Sequence, residues 1–258
     1  MQRSYGTLIY YLIPPWIKIH GYKIGRTYGS VKKMNMNKPK GVKELTEWIN
    51  ENSSFVTKSI GRNDVEQYRL IQSEFDKGDI SNNEVFKIAF KNFYGLNVAA
   101  LGNEFETIFF ETFSQLSKQS SENIDFSVEL LKLYKVKTKK TNTVQFSFFT
   151  KLVHTIDNRR AIYDSKVRFL FDLKVLYMEN YQIKIEKYIE QYDYIEKLYE
   201  QILSENLLDT TLKAFDERFE YPQIHKIKKL DLIFWTTGKF FESEQNYLNL
   251  KNKTRRKV

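Results

Sequence analysis

The sequence predicts a mainly α-helical protein, and three observations support that fold class. Glycine and proline, which favour turns, number only 10 and 4 among the 258 residues. From Val42 onward, apolar residues recur three and four positions apart, which is the period of an amphipathic helix. Hydrophobic residues make up 41% of the chain, so the protein can bury a substantial core.

The chain is predicted to have three parts: an N-terminal extension and linker (1–40), a helical domain (41–248) and a basic C-terminal tail (249–258). Within the extension, "WIKIHGYKIG" alternates apolar and polar residues, which favours a small β hairpin. The apolar run "TLIYYLIPPW" is too short to span a bilayer and lacks a signal-peptide cleavage site. We therefore expect a buried segment there and no membrane partner.

Five helices are predicted after the linker. Ser81 and Glu84 have the spacing of a capping box for the third helix, and Asn103 or Gly102 is expected to start the fourth. In order, the five segments are "VKELTEWINENSSFVTKSI", "VEQYRLIQSEF", "SNNEVFKIAFKNFYGL", "EFETIFFETFSQLSK" and "FSVELLKLYK".

Nearer the C-terminus, "YQIKIEKYIEQYDYIEKLYEQILSEN" predicts a long amphipathic helix whose apolar heptads are too few for a coiled coil. The last helix is predicted in "IKKLDLIFWTTGKF", with Gly238 as its C-terminal stop. Phe234 and Trp235 of that helix are expected in the core. The tail "KNKTRRKV" is expected to be a solvated, frayed end, with DNA contact as the alternative.

Composition narrows the possible functions. The chain has no cysteine, which excludes disulfides, thiolate metal sites and cysteine nucleophiles. Its three histidines form no HExxH pattern, and neither a Walker phosphate loop nor GxGxxG is present. The net charge of +9 favours a polyanionic partner, most commonly nucleic acid, although an acidic membrane or protein surface would also fit.

The segment "FSFFTKLVHTI" (146–156) is predicted to be a helix that presents a lysine from a rigid support. On a helical projection, its aromatic and aliphatic residues, including Phe148, share one side. Lys151 falls on the other side, with Ser147 one turn before it and His154 three residues after it. The apolar side would fix the helix to the core, and Lys151 is expected to point away from that core.

Asp164 stands directly before the amphipathic run "SKVRFLFDLKVLY", where an aspartate predicts a helix N-cap. The intervening "DNRRAIY" is short enough for the second helix to fold back beside the first. Asp164 is therefore expected to approach Lys151. Such a lysine and carboxylate suit an amine nucleophile and its charge partner.

Structural alternatives remain open for each of these residues. A lysine on a polar helix face is usually solvated, a histidine there usually contributes to packing, and Asp164 would cap its helix whether or not Lys151 reacts. Asp164 with Asp172 and Lys174 also imitates the spacing of metal-dependent nucleases, but that motif lies on strands and this region predicts helix.

The segments "FSFFTKLVHTI" and "AIYDSKV" resemble the active-site region of helix–hairpin–helix DNA glycosylases, particularly the compact bacterial members that are similar to 8-oxoguanine glycosylases. "LDLIFWTTGK" resembles the closing helix of those members. The resemblance covers about residues 85–240 and implies a two-lobed helical fold with a DNA groove between the lobes.

This resemblance implies roles for the two central residues. Lys151 would attack the sugar C1′ of a flipped-out nucleotide, and Asp164 would stabilise the positive charge that develops on the sugar. A lysine must lose its proton to attack, which burial or a neighbouring cation favours. Lys166, Arg159 and Arg160 are the candidate cations. Ser147, His154 and Phe148 are candidates for the base pocket or for its support.

The chain departs from the family pattern at the hairpin, because "VKTKKTNTVQF" lacks the usual glycines and the lysine-to-aspartate spacing is shorter. Contacts to the DNA backbone are instead expected from basic residues and the helix N-terminus. No residue that recognises the base is matched by motif. The candidate backbone contacts are Lys137, Lys139, Lys140, Lys166 and Arg168.

The sequence thus predicts a DNA glycosylase for a damaged or modified purine, with or without strand-nicking lyase activity. We expect DNA as partner, no metal or other cofactor, a monomer, and a cytoplasmic location with the nucleoid. Two alternatives are a non-catalytic nucleic-acid-binding module of a larger system, such as a defence complex, and a helical interaction scaffold.

Overall fold

A computed structural model describes residues 38–99, 101–136, 138 and 142–255, with side chains described as far as residue 246. These residues belong to one compact unit. The described residues form α-helices, turns and a short 3₁₀ segment, and contain no strand, which confirms the mainly α-helical prediction. The predicted β hairpin lies outside the described residues.

Eleven α-helices are present in the described part of the chain. Most follow the predicted segments, but α10 falls where no helix was predicted. In chain order they are α1 (Val42–Glu51), α2 (Ser53–Ser59), α3 (Arg62–Phe75), α4 (Glu84–Tyr94), α5 (Asn103–Leu116), α6 (Phe126–Lys135), α7 (Phe146–Ile156), α8 (Ser165–Leu170), α9 (Tyr181–Ser204), α10 (Asp209–Phe219) and α11 (Lys226–Arg255).

Helix ends follow local hydrogen bonding. Asn83 caps α4 by accepting a hydrogen bond from the Phe86 amide at 2.9 Å, so the predicted capping box at Ser81 is wrong. The Ser81 hydroxyl instead donates to Ser114 at 2.9 Å. Gly102 precedes α5 as predicted. The first predicted helix is interrupted at Asn52, which separates α1 from α2.

Aromatic side chains hold α7 in place, as the sequence predicted for its apolar side. The Phe149 ring packs edge-on against Phe126 of α6, with the ring centroids 4.9 Å apart. The Phe146 ring stacks on Tyr188 of α9 at 5.0 Å and also contacts Tyr192. Because these contacts come from two other helices, α7 is a rigid support for its remaining side chains.

Helix α8 is shorter than predicted because its C-terminus is capped from a distant part of the chain. The Lys38 amine donates to the carbonyls of Phe169 and Leu170, at 3.3 and 3.1 Å. It also pairs with Asp172 at 2.6 Å, and Asp172 has a left-handed backbone with φ of 57°. These contacts satisfy the last carbonyls and turn the chain out of the helix.

Gly238 does not end the last helix, contrary to prediction. Helix α11 continues through it to Arg255, so residues 249–255 are helical rather than a frayed tail. A Cβ atom at Gly238 would lie 2.4 Å from the Lys166 carbonyl oxygen of α8. The glycine is therefore required for the close approach of α11 to the start of α8, next to Asp164.

We expect Gly238→Ala to destabilise the protein by about 1–3 kcal/mol, because the added methyl group would push α11 away from α8. Urea denaturation would measure the change in the free energy of unfolding. Ser243→Ala, at an exposed position of the same helix, is the control and should change stability by less than about 0.5 kcal/mol. A glycine with free space around it would instead gain about 0.5–1 kcal/mol on becoming alanine, and that gain would contradict the packing role.

Candidate functional site

The structure brings Lys151 and Asp164 together, as predicted. The Lys151 Nζ atom lies 3.3 Å from the Asp164 Oδ2 atom, and the side chains retain 11% and 15% of their accessible surface. Lys151 projects from the middle of α7, and Asp164 is the N-cap of α8. The two helices therefore hold an amine and a carboxylate in contact, largely out of solvent.

The carboxylate of Asp164 is oriented by its capping role. Its Oδ1 atom accepts a hydrogen bond from the backbone N–H of Lys166 at 2.9 Å, which leaves Oδ2 directed to Lys151. This confirms the predicted N-cap. Because capping fixes one oxygen, the other oxygen is held in position beside the amine.

The loop between α7 and α8 is tied back onto α7. The Thr150 hydroxyl accepts a hydrogen bond from the Tyr163 amide at 3.1 Å, immediately before Asp164. Further along α7, the His154 Nδ1 atom lies 2.6 Å from the Arg160 carbonyl oxygen. These two contacts explain how thirteen residues of separation in sequence become a direct contact between Lys151 and Asp164.

The polar side of α7 is buried, which corrects the prediction that Lys151 points away from the core. Lys151 is 8% exposed overall, and Thr150, His154 and Thr155 are buried with it. Aromatic side chains of other helices, Tyr68 on α3 and Tyr94 on α4, cover this side of α7. A projection of one helix cannot show what its neighbours cover.

Phe148 was predicted on the core side but is only half-buried, as is Ser147. The Phe148 ring centroid lies 5.1 Å from the Lys151 amine, and the buried Tyr94 ring lies 5.7 Å from it. The amine is thus bordered by two aromatic rings, one of which reaches solvent. Ser147 and Phe148 lie at the more open edge of the site.

His154 is a fully buried, neutral residue behind this site. Burial, with a further contribution from the positive charge of Lys228, lowers its pKa to about 3. Since a carbonyl can only accept, Nδ1–H donates to Arg160, and Nε2 accepts from the Tyr68 hydroxyl at 3.4 Å. His154 therefore holds the α7–α8 loop through Arg160 and contacts α3 through Tyr68.

A second ion pair, Lys228 with Asp231 on α11, lies next to the first and was missed by the sequence analysis. The Lys228 Nζ atom is 2.6 Å from Asp231 Oδ2, and both residues are buried. Its signal was a lysine and an aspartate three residues apart within the apolar segment "IKKLDLIFW". The segment was interpreted as the last helix and for its resemblance to the closing helix of the glycosylases, and the pair within it was not considered.

The cations that the sequence proposed near Lys151 each have another carboxylate partner. Arg159 pairs with Asp157 at 2.9 Å, and Arg160 pairs with Glu196 at 2.8 Å. Lys166 forms an ion pair with Glu242 across α8 and α11. Lys228 is a buried cation whose Nζ atom lies 5.5 Å from the Tyr94 ring, which also borders Lys151.

Of the five residues predicted to contact the DNA backbone, two lie in the described part of the chain. Arg168 donates a hydrogen bond to the Leu173 carbonyl at 3.2 Å, and Lys166 is in the ion pair with Glu242. Lys137, Lys139 and Lys140 lie outside the described residues.

In α11, Phe234 is buried as predicted, whereas Trp235 is half-buried with the Lys239 amine 5.0 Å from its ring.

A cavity of about 230 Å³ opens at the other end of the α7–α8 loop. Its polar lining consists mostly of residues already paired with each other, such as Asp157 with Arg159 and Arg160 with Glu196. Lys151 and Asp164 do not line the cavity.

None of the helices in the described part of the chain combines the length and the apolar character that a membrane-spanning helix needs.

Comparison with known proteins gives no relative from which a function can be transferred. No protein-family model, curated protein or solved structure matches this chain.

The buried His154 predicts a specific pH dependence of stability. Its folded-state pKa of about 3 lies below the unfolded value of about 6.5, so the unfolded chain binds a proton first as the pH falls. Above pH 6.5 His154 is neutral in both states and leaves the free energy of unfolding unchanged. By pH 5, protonation of His154 in the unfolded chain should lower the free energy of unfolding by about 2 kcal/mol. Urea denaturation at pH 7 and pH 5 would measure this loss.

His154→Asn, which keeps a donor for the Arg160 carbonyl, should remove most of that pH-dependent loss. His225→Asn is the matched control, because burial also lowers the pKa of this half-buried histidine, but by less than that of His154. An equal pH slope in the natural protein and in His154→Asn would contradict a buried, neutral His154.

Proposed function

We propose that the protein is a DNA glycosylase of the helix–hairpin–helix type, with Lys151 as its nucleophile and Asp164 as its charge partner. The observation that carries this proposal is the 3.3 Å contact between the Lys151 amine and the Asp164 carboxylate, on a fixed helix and a helix cap. The proposed substrate is DNA with a damaged or modified purine. The two-lobed arrangement and an association with the nucleoid belong to the same proposal.

The proposed reaction needs a neutral amine next to a sugar carbon. The lone pair of Lys151 Nζ attacks C1′ while the bond from C1′ to the base nitrogen breaks, and the base leaves with that electron pair and takes up a proton. Loss of a proton from nitrogen and opening of the sugar ring then give a Schiff base between Lys151 and C1′. β-Elimination of the 3′ phosphate from this intermediate would nick the strand.

Asp164 supports this reaction through its fixed negative charge. As the base leaves, positive charge develops on the sugar, and a preorganised carboxylate stabilises that charge without having to reorient. The N-cap hydrogen bond from Lys166 supplies this preorganisation. The low solvent exposure of the pair strengthens the interaction, because water screens it weakly.

The edge of the site suits an extruded base. Phe148 is half-buried and its ring lies 5.1 Å from the Lys151 amine, so a base stacked on that ring would place its sugar near the nucleophile. The net charge of +9 favours binding to the phosphate backbone, with an affinity that falls steeply as salt rises.

Borohydride trapping tests this proposal directly. The protein would be incubated with duplexes and single strands that carry oxidised, deaminated, alkylated or glucosylated bases, and with an abasic-site duplex. We expect a covalent adduct on at least one substrate, no adduct with Lys151→Ala, and a loss of at least about 100-fold in rate with Asp164→Asn.

Lys91→Ala is the matched control, because Lys91 is another partly buried lysine in an ion pair, 2.6 Å from Glu106. It should leave the adduct yield unchanged. Base release without an adduct, dependent on Asp164, would show a glycosylase that uses water instead of Lys151. DNA binding with neither an adduct nor base release on any substrate would contradict the proposal and favour a non-catalytic nucleic-acid-binding module.

A further inference from the structure

Two amines, not one, border the ring of Tyr94. The Lys151 Nζ atom lies 5.7 Å from the Tyr94 ring centroid, and the Lys228 Nζ atom lies 5.5 Å from it. Lys228 also lies over the rings of Tyr68 and Phe93, at 4.9 and 5.3 Å. Lys228 thus occupies an aromatic enclosure that shares one wall with the proposed nucleophile.

Burial of the Lys228–Asp231 ion pair is difficult to explain by stability alone. Lys228 is 1% exposed, and its ion pair with Asp231 removes two charges from water. Such pairs commonly contribute no more stability than apolar residues of the same size would. Strongly buried charges next to a reactive group are instead typical of sites that control protonation.

Asp231 links the two ion pairs electrostatically. Burial raises the pKa of Asp231, and the negative charge of Asp164 adds to that rise, whereas Lys228 and Lys151 oppose it. Asp231 therefore lies within electrostatic reach of both members of the Lys151–Asp164 pair. The four groups form one buried set with two positive and two negative charges.

We infer that the Lys228–Asp231 pair is a positioning element that sets how readily Lys151 loses its proton, an inference that rests on the proposed nucleophilic role of Lys151. The positive charge of Lys228 favours the neutral amine of Lys151, and the negative charge of Asp231 favours the ammonium. Lys228 supplies the cation that the sequence analysis sought among Arg159, Arg160 and Lys166.

Three further titratable groups of the described residues, His154, Tyr68 and Tyr94, add no charge near Lys151. His154 is neutral because burial lowers its pKa, and burial raises the pKa of Tyr68 and Tyr94 far above neutrality. They therefore carry no net charge near pH 7. Among the described residues, the charged and titratable groups around Lys151 are Asp164 at the start of α8, Lys228 and Asp231 on α11, Tyr94 on α4, Tyr68 on α3 and His154 on α7.

The two single substitutions should act in opposite directions. Lys228→Met removes the cation and should move the pH of half-maximal Lys151 reactivity upward by about one unit. Asp231→Asn removes the anion and should move it downward by a similar amount. Lys228→Arg keeps the charge and should bring the pH of half-maximal reactivity back toward that of the natural protein. A purely structural pair would lower reactivity in every variant without moving this pH.

Two readouts separate this inference from the proposed function. The first is reductive methylation of Lys151 by formaldehyde and cyanoborohydride, followed across pH by peptide mass spectrometry, which needs no DNA. The second is the pH dependence of adduct formation with an abasic-site duplex. Opposite shifts in methylation support the inference even if no DNA adduct forms, in which case the proposed function fails alone.

A Lys151-dependent DNA adduct whose pH dependence is the same in all variants would overturn the inference and leave the proposed function intact. If Lys228→Met does not fold, Asp231→Asn and Lys228→Arg still decide the outcome. An upward shift, or no shift, with Asp231→Asn would overturn the inference as well.

Discussion

The contact between Lys151 and Asp164 depends on one constraint, the fixed start of α8. Asp164 caps that helix, and the Thr150 hydroxyl holds the amide of Tyr163 just before it. On the other side, α11 approaches so closely that only glycine fits at position 238. Loss of the Thr150–Tyr163 hydrogen bond, or of the close approach at Gly238, would let the Asp164 carboxylate move away from the Lys151 amine. The chemistry proposed for the site therefore depends on how α8 packs against its neighbours.

Burial gives this site its chemical character. Lys151 and Lys228 both lie close to aromatic rings, including the ring of Tyr94 that borders both amines, and each has its own carboxylate. In such surroundings charges interact more strongly than in water, and a change in one partner affects the others. The two carboxylates also limit the cost of burying the two amines.

Local patterns predicted most of the helices, and they predicted the Asp164 cap, because periodicity and capping depend on neighbours in sequence. They failed where distant residues decide. Lys38 ends α8 from more than a hundred residues away, and Gly238 serves packing against α8 rather than a helix end. The burial of Lys151, and that of the Lys228–Asp231 pair within α11, likewise depend on helices that only the fold brings together.

The most direct test of the account is to locate the covalent adduct on the protein. After borohydride trapping with an abasic-site duplex, proteolysis and mass spectrometry would identify the modified residue, since an aldehyde at C1′ needs only a reactive amine and no particular base. We predict a single modified site, Lys151. Modification spread over exposed lysines, with Lys151 untouched, would contradict the assignment of Lys151 as the nucleophile.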